Sequence, residues 1–185
     1  MFKLIAVADP VTKRDFLEQL QYIGHCCQVP SALILRRKDL SLAAYELLLQ
    51  TLPPLPYTII PHTHYLLARD YGYKAIHVPL TILQSNAMQM QVQHFTTIST
   101  SVHSIEEAKA ATALGATQLI AGHVFATACK EGVPPRGVDW LQQVCTATAL
   151  PVYAIGGFAL TEPRQKQAQK AGAQGVCIRS AYMML

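Results

Sequence analysis

The chain has 185 residues, of which 51% are hydrophobic, so it is long and apolar enough for one large domain with a sizeable core. Only 14% of the residues are charged, which argues against disorder, and no apolar run reaches the roughly eighteen residues of a membrane span. The net charge is +4, and the 15 Lys and Arg residues are scattered and not interleaved with aromatic residues. This pattern argues against nucleic-acid binding and favours an anionic ligand.

The first residues favour a strand over a targeting segment. The stretch from Met1 to Val7 lacks the hydrophobic length and the cleavage site of a signal peptide, and Asp9 and Pro10 follow at once. We therefore expect a cytoplasmic protein that is not bound to a membrane. The chain has five cysteines, an odd number, and none of them form a CxxC pair, so we expect free thiols. They are Cys26, Cys27, Cys129, Cys145 and Cys177.

Short β-rich segments alternate with helical patterns along the chain. Eight segments are nearly continuous apolar runs, as expected of strands that are buried on both faces. These predicted strands are Leu4–Val7, Ala32–Leu35, Tyr57–Ile60, Ala75–Val78, Phe95–Ser99, Gln118–Ala121, Val152–Ile155 and Gly175–Ile178.

Helical periodicity and capping residues lie between the predicted strands. Ser104 and Glu107 have the spacing of a capping box, and Pro163 is placed for the first turn of a helix. The predicted helices are Asp15–His25, Ser41–Leu52, Ser104–Leu114, Val138–Thr146 and Thr161–Ala171, with weaker patterns at His64–Tyr71 and Gln84–Val92.

Eight β/α repeats with no composition break or linker predict a single domain, residues 1–185, with the α/β fold of a (β/α)₈ TIM barrel. An open doubly wound sheet is the alternative. Because the sequence stops at Leu185, just after the eighth predicted strand, we expect a truncated final helix of about one turn.

The strongest functional signal lies where the sixth predicted strand ends, at Gly122-His123. Active sites of this fold lie at the carboxyl ends of the strands, so a titratable imidazole there is a candidate base. The seventh strand is followed by Gly156-Gly157, whose backbone N–H groups can hold a phosphate. The eighth ends in Arg179-Ser180, and the loops after strands seven and eight form the recurrent phosphate site of such barrels. The pattern indicates an enzyme of small phosphorylated metabolites.

Other strand ends supply further candidates for the pocket. Arg36 and Lys38 follow the second strand on the same side by alternation, where they can bind an anion or form a solvated loop. Ser101 follows the fifth strand and can donate to a ligand oxygen. Thr127 and Lys130 lie on the polar loop after the candidate base.

Three histidines follow or occupy strands three and four. His62 and His64 form an HxH pair, but no third ligand is evident, so no metal site is predicted. We expect His62 to line the pocket. His77 lies within an apolar strand and is expected to be a satisfied interior histidine.

No pair of carboxylates occurs at the predicted strand ends, where Asp9 stands alone. This counts against Mg²⁺-assisted pyrophosphate chemistry, because Mg²⁺ takes carboxylates or substrate phosphates as ligands. Proton transfer by one imidazole, without a metal or a cofactor, fits better, since the ordinary histidine pKa of about 6.5 lies near neutral pH.

These motifs resemble the TenI thiazole tautomerases of the thiamine-phosphate synthase superfamily. The resemblance is close from about residue 98 to 181 and looser before it. It rests on four segments: Gly122-His123-Val124-Phe125 with Thr127, Cys129-Lys130 and Arg136-Gly137; the segment from Ser101 to Ala108; Pro151 to Gly157; and Ala171 to Val176.

The same resemblance separates this chain from the thiamine-phosphate synthases. Those enzymes carry Asn-Asp-Asp after strand three, where this chain has His62-Thr63-His64, and Gly-Gln-Glu-Asp after strand four, where it has Pro79 to Ile82. Of their Gln-x-Arg-x-Lys motif after strand two, only the cations Arg36 and Lys38 remain. The resemblance therefore implies that both sets of magnesium carboxylates are missing.

The resemblance implies a cofactor-independent isomerase that converts a carboxylated, non-aromatic thiazole phosphate to its aromatic tautomer in thiamin biosynthesis. His123 would be the catalytic base, with Arg36 or Lys38 facing the carboxylate. The expected partner is this small substrate, with neither nucleic acid nor membrane, and a homodimer is possible. A thiamine-phosphate synthase and a non-catalytic thiazole-phosphate-binding or regulatory barrel are the alternatives.

Overall fold

The computed structural model describes the backbone of residues 1–185 and the side chains of all of them except Cys129 and Glu162. The strands are β1 (Lys3–Val7), β2 (Ala32–Leu35), β3 (Thr58–Pro61), β4 (Ala75–His77), β5 (Thr97–Val102), β6 (Gln118–Gly122), β7 (Val152–Ile155) and β8 (Gly175–Ile178). The helices are α1 (Phe16–Ile23), α2 (Leu42–Thr51), α3 (Tyr65–Asp70), α4 (Leu80–Leu83), α5 (Asn86–Gln89), α6 (Ile105–Ala113), α7 (Gly137–Thr146), α8 (Glu162–Lys170) and α9 (Ser180–Met183).

The eight strands form one parallel sheet in the order β3-β2-β1-β8-β7-β6-β5-β4. Between β3 and β4 the barrel is joined by a single bridge that pairs His62 with His77, where the Thr63 N–H donates to the His77 carbonyl at 2.8 Å. The sheet is therefore a nearly closed barrel, which confirms the predicted (β/α)₈ fold over the open doubly wound alternative.

Alternation along the strands separates two apolar layers. One set of alternating strand residues packs inside the barrel. It includes Ile5, Val7, Ala32, Ile34, Ile60, Ala75, Ile120, Tyr153 and Cys177. The opposite set packs outward against the helices, as Leu33, Leu119 and Val176 do. Because the side-chain period of a strand is two, the inward set extends to Ser101 near the end of β5 and to Arg36 and Arg179 just after β2 and β8.

Side-chain caps start four of the helices. Asp15, Ser41, Ser85 and Ser104 each accept a hydrogen bond from a backbone N–H in the first turn. The predicted capping box is half formed. The Ser104 hydroxyl accepts from the Glu107 N–H at 3.1 Å, but the Glu107 carboxylate accepts from the His103 N–H at 2.6 Å, one residue before the cap.

Two elements of the structure differ from their predicted bounds. The helix predicted at Gln84–Val92 is two short helices, α4 and α5, followed by a 3₁₀ turn at Val92–His94. Pro79 precedes α4, which ends at Leu83, and the Ser85 side chain caps α5, so capping overrides the periodicity. The strand predicted at Phe95–Ser99 is shifted to Thr97–Val102, because Val102 still pairs with β6. Ser101 therefore lies within β5 and not in a loop.

The final helix is one turn, as expected. It is held against α1, where Gln19 Nε2 donates to the Tyr182 carbonyl at 2.8 Å and the Arg14 guanidinium donates to the Leu185 carbonyl. Cys26, Cys27, Cys145 and Cys177 are free thiols, as predicted, and Cys129 lies outside the described side chains. In the described part of the chain, no helix has both the length and the apolar character needed to cross a bilayer.

Candidate active site

A cavity of about 530 Å³ opens at the carboxyl ends of the strands, between β2 and the loops after β5 to β8. Its floor is apolar, and its rim carries basic and hydroxyl side chains. The residues lining it include Val7, Arg36, Ser101, His103, Ile120, Gly122, His123, Thr127, Lys130, Ile155, Gly156, Gly157, Phe158, Cys177, Arg179 and Ser180.

Nine of the residues predicted for the site line this cavity: His123, Gly156, Gly157, Arg179, Ser180, Thr127, Lys130, Arg36 and Ser101. Lys38 and His62 do not belong to the lining. Lys38 is exposed on the loop after β2, and His62 is buried beside β4. The structure therefore gathers predicted residues from five strand ends that are far apart in the sequence.

His123 is held at the cavity wall by the loop that follows it. The imidazole is 7% exposed, and its Nε2 lies 3.2 Å from the Val133 carbonyl. The backbone carbonyl of His123 accepts from the Arg136 N–H at 3.1 Å, and Arg136 Nε donates to the Gly122 carbonyl at 3.2 Å. The segment from residue 123 to 136 is thus tied back to the end of β6.

The paired glycines after β7 are required by this same loop. Gly156 has a φ of +103°, and a Cβ there would lie 2.4 Å from the Cβ of His123. Gly157 has a φ of +74°, and a Cβ there would lie 2.6 Å from the Cβ of Phe125. At both positions a side chain is excluded by the positive φ and by the close contact. Packing against the loop that follows β6 therefore explains part of the reason why two glycines occur here.

Three basic side chains line the cavity from different directions. Arg36 comes from the end of β2, Lys130 from the loop after β6 and Arg179 from the end of β8. Arg179 also forms an ion pair with Asp9, with Nη1 and Oδ2 3.0 Å apart. Among the described residues that line the cavity, none is a carboxylate. The arrangement favours a small ligand with more than one anionic group.

A second, buried polar cluster lies beside the cavity, between β3 and β5. The rings of His62 and His77 stack with centroids 5.3 Å apart. His77 Nδ1 lies 2.8 Å from Ser99 Oγ, and His77 Nε2 lies 3.2 Å from Ser101 Oγ. His77 is thus the satisfied interior histidine that the sequence predicts. Ser101 belongs to both the cluster and the cavity wall.

Burial keeps both of these histidines neutral. Desolvation lowers the pKa of His62 to about 3, with further lowering by His77 and by the cations Arg36 and Lys38. Desolvation likewise lowers the pKa of His77 to about 4, again assisted by Arg36 and Lys38. A histidine that must stay neutral is suited to orient a neighbour by hydrogen bonding.

Some cavity residues were not predicted as site residues. His103 lines the rim, and its Nδ1 lies 3.3 Å from Glu107 Oε2. Cys177 and Ile120 form part of the floor, and burial raises the pKa of the Cys177 thiol so that it packs as a neutral group. Strand alternation would have found these floor residues, since both belong to the inward set.

A larger cleft of about 670 Å³ lies at the opposite end of the barrel. It is formed by the loop from residue 52 to 55 and by the first residues of β3, β4 and β5. Active sites of this fold lie at the carboxyl ends, and none of the predicted site residues reaches this cleft. Among the described residues, no group of three or more His, Cys, Asp or Glu is arranged to hold a metal ion.

The fold and the cavity together define a (β/α)₈ barrel protein whose carboxyl-end pocket combines an imidazole, paired glycines and basic side chains. A family model described as thiamine monophosphate synthase matches residues 5–182, so the chain belongs to this family of thiamine-biosynthesis enzymes.

Individual relatives agree with this assignment. The thiamine-phosphate synthase of Roseiflexus castenholzii is 30% identical over 160 residues, which cover 83% of this chain and 68% of that protein. The thiamine-phosphate synthase of Pyrococcus horikoshii is 40% identical over 86 residues, covering 46% of this chain and 41% of that protein. For that of Synechococcus sp. (strain WH7803), the match of 40% identity covers 46% of this chain and only 24% of the relative.

Among solved structures, a thiamine phosphate pyrophosphorylase from Pyrococcus furiosus superimposes with a TM-score of 0.74. The identity is 21%, and the match covers 98% of this chain and 87% of that chain. This likeness establishes the shared barrel fold.

Proposed function

We propose that the protein is a thiazole tautomerase of thiamin biosynthesis, an isomerase that aromatises a carboxylated thiazole phosphate by proton transfer. One observation carries the proposal: His123 and the paired glycines, Gly156 and Gly157, line the same cavity, with Gly156 packed directly against the imidazole-bearing residue. This shared lining supports a proton-transfer group and a phosphate cradle that act on one small ligand.

Under this proposal, the contact of His123 with Val133 makes Nδ1 the basic nitrogen. A carbonyl oxygen only accepts, so in the neutral ring the hydrogen lies on Nε2 and is donated to Val133 at 3.2 Å. Nδ1 then keeps the lone pair that can take a proton. The C2–H bond of the substrate breaks, its electron pair enters the ring system, and the proton on Nδ1 is delivered to the exocyclic carbon. Substrate and product have the same atoms, so no co-reactant is needed.

The remaining lining residues would hold the two anionic groups. Gly156, Gly157 and Ser180 would bind the phosphate at the ends of β7 and β8, beside Arg179. Arg36 would face the carboxylate from β2, and Thr127 and Lys130 would cover the ligand from the β6 loop. Such positioning and proton transfer typically contribute about 10² to 10⁴-fold to the rate for the transfer step.

A thiamine-phosphate synthase is the second candidate, and the names of the curated relatives favour it. The residues present favour the tautomerase instead, because the described cavity lining has no carboxylate and the positions after β3 are His62-Thr63-His64. Formation of thiamine phosphate from the pyrimidine pyrophosphate and thiazole phosphate, with Mg²⁺ present, would select the synthase. Binding of thiazole phosphate without any proton exchange at C2 would select a non-catalytic barrel.

The direct test is His123→Gln, assayed with the non-aromatic thiazole phosphate. We expect kcat to fall by about 10² to 10⁴-fold while thiazole phosphate binds within about threefold of wild type, because the phosphate contacts are untouched. His94→Gln, an exposed position at the far end of the barrel, serves as the control and keeps full activity. Turnover by His123→Gln within a few-fold of wild type shows that the base is misassigned.

A further inference from the structure

The backbone after β7 departs from the geometry of a regular strand. In a parallel sheet, successive carbonyls of a strand point alternately to its two neighbours. Here the carbonyls of Ile155 and Gly156 both face the loop after β6, where they accept from the Val124 N–H at 2.9 Å and the Phe125 N–H at 3.1 Å. The C=O and N–H of a trans peptide point in opposite directions. The Gly157 N–H therefore points away from that loop, towards the β8 side of the cavity.

The next peptide, between Gly157 and Phe158, is held from outside the cavity. Arg164 lies on α8, and its Nη1 donates to the Gly157 carbonyl at 2.5 Å. Its guanidinium carbon lies 4.9 Å from the centre of the Phe125 ring, which packs edge-on against the Phe158 ring. Gly157 and Phe158 line the cavity, whereas Arg164 does not. Because its peptide carbonyl is held towards α8, the Phe158 N–H points away from α8, on the side of the cavity.

These two N–H groups have no protein acceptor. In the described part of the chain, neither the Gly157 N–H nor the Phe158 N–H donates to a backbone or side-chain atom. Successive backbone N–H groups of this kind form an anion-binding nest. Glycine does not fix the nest by itself, because without a side chain the peptide after Gly157 can rotate and turn its N–H outward. A hydrogen bond from another element is therefore needed to hold that peptide.

We propose that Arg164 is a positioning residue for phosphate binding. It holds the Gly157 carbonyl on the outer side of the loop and thereby presents the Phe158 N–H to the phosphate of the ligand. The proposal rests on the phosphate cradle of the function proposed above, and it requires only that the ligand be a phosphate. Arg164 acts through the peptide and does not touch the ligand. Its hydrogen bond is charge-assisted, which makes it stronger than a bond between neutral groups.

The first test compares thiazole ethyl phosphate with the thiazole alcohol that lacks the phosphate. Arg164→Ala should bind the phosphate about tenfold more weakly than wild type, the usual contribution of one hydrogen bond, and the alcohol within about twofold. Arg164→Lys, which keeps a charged donor, should recover most of the affinity. Lys170→Gln is the matched control, because it removes a positive charge from an exposed position of the same helix. It should bind the phosphate within about twofold of wild type.

Two further measurements separate the hydrogen bond of Arg164 from its charge and from a general loss of structure. At about 1 M salt, charges are screened beyond about 3 Å, so the tenfold ratio between wild type and Arg164→Ala should persist. In ¹H–¹⁵N spectra, thiazole phosphate should shift the Phe158 amide of wild type but not that of Arg164→Ala. The Gly157 amide should shift in both proteins, because the Phe125 N–H holds its peptide.

Four outcomes would each overturn the proposal. They are binding of the phosphate by Arg164→Ala within about twofold of wild type, an equal loss of affinity for the alcohol, disappearance of the ratio at high salt, and a Phe158 amide of wild type that does not respond to the phosphate.

Inorganic phosphate, used as a second probe, separates this proposal from the tautomerase assignment. A Phe158 shift that depends on Arg164, without turnover of the non-aromatic thiazole, supports the role of Arg164 and removes the tautomerase. Turnover that depends on His123, with phosphate binding that does not depend on Arg164, removes the role of Arg164 and leaves the tautomerase. Failure of the wild type to bind either phosphate removes both.

Discussion

The two sides of the barrel mouth both present histidines, but they place them in different surroundings. On the β6 side, His123 lines the open cavity and its ring bonds to a loop carbonyl. On the β3–β4 side, His62 and His77 stack against each other, with hydroxyl partners and with two cations close by. An imidazole at a strand end is therefore a candidate base where it lines the cavity, and a packed structural group where other side chains surround it.

The largest expected effect concerns the packing that holds the β6 side. Gly156→Ala adds a Cβ 2.4 Å from the Cβ of His123 at a φ of +103°, so it should lower the free energy of unfolding by about 3 kcal/mol or more. Gly115→Ala is the control, because its φ is also positive, at +86°, but nothing lies within 4 Å of the added Cβ. It should cost only about 1 kcal/mol. Urea denaturation measures the free energy of unfolding of both variants. Equal losses of stability in the two would show that the contact between position 156 and His123 is not tight.

The second prediction concerns acid stability on the β3–β4 side. Above the ordinary histidine pKa of about 6.5, the rings are neutral in both folded and unfolded chains. As pH falls from about 6.5 towards the folded values of about 4 for His77 and about 3 for His62, the unfolded chain binds more protons. The free energy of unfolding should therefore fall as the pH falls through this range, by on the order of 1 kcal/mol per pH unit.

Replacement of one ring checks this assignment. His62→Gln should show a shallower loss of stability between pH 6 and about 4.5 than wild type, whereas the exposed His94→Gln should follow the wild-type slope. Urea midpoints at several pH values measure the slopes. If His62→Gln and wild type lose stability in parallel, the acid sensitivity comes from other groups.

A third prediction separates two adjacent arginines. Arg36 lines the cavity, whereas Arg37 pairs with Asp39 at 2.6 Å and packs over the Phe16 ring. Arg36→Gln should weaken binding of a carboxylated thiazole phosphate by about tenfold through the loss of a charged contact. Arg37→Gln should change it by less than twofold. Titration calorimetry at low salt measures the affinity of each variant for the ligand. Similar affinities for the two variants would show that Arg36 does not contact the ligand.

The smallest expected effect lies in β5, where adjacent hydroxyls differ in their partners. Thr100 Oγ1 is buried without a hydrogen bond among the described residues, so Thr100→Val should raise the free energy of unfolding by about 1 kcal/mol. Ser99→Ala should lower it by a similar amount, because it leaves His77 Nδ1 without its partner. Thermal melts show whether each variant is more or less stable than wild type. Destabilisation by Thr100→Val would mean that the Thr100 hydroxyl has a hydrogen-bond partner.

Much of the site follows from local patterns in the sequence. Strand alternation places Arg36 and Arg179 on the inward side, and the apolar runs that precede them are strong enough to define the strands within about one residue. His123 and the paired glycines follow from the same logic, since the carboxyl ends of parallel strands meet at one rim. Lys38 shares the inward parity of Arg36, but it lies on a loop where alternation no longer governs direction, and it is exposed.

Other features depend on long-range contacts. The shift of β5 by two residues at its start and three at its end comes from its pairing with β6, and it places Ser101 in the strand. His62 does not line the cavity as predicted. The bridge between His62 and His77, which joins β3 to β4, brings the two rings together, and both are buried. No local pattern encodes that pairing, because the two residues are separated by a helix and two loops.

The amino-acid sequence by itself determined the eight β/α repeats, most of the strand ends and the identity of the candidate base, since these depend on residue type and on the periods of strands and helices. The tertiary structure alone decided which histidines are buried and neutral, why Gly156 and Gly157 must lack side chains, and how Ser101 is held. These properties depend on solvent exclusion and on distances between strands that are remote along the chain.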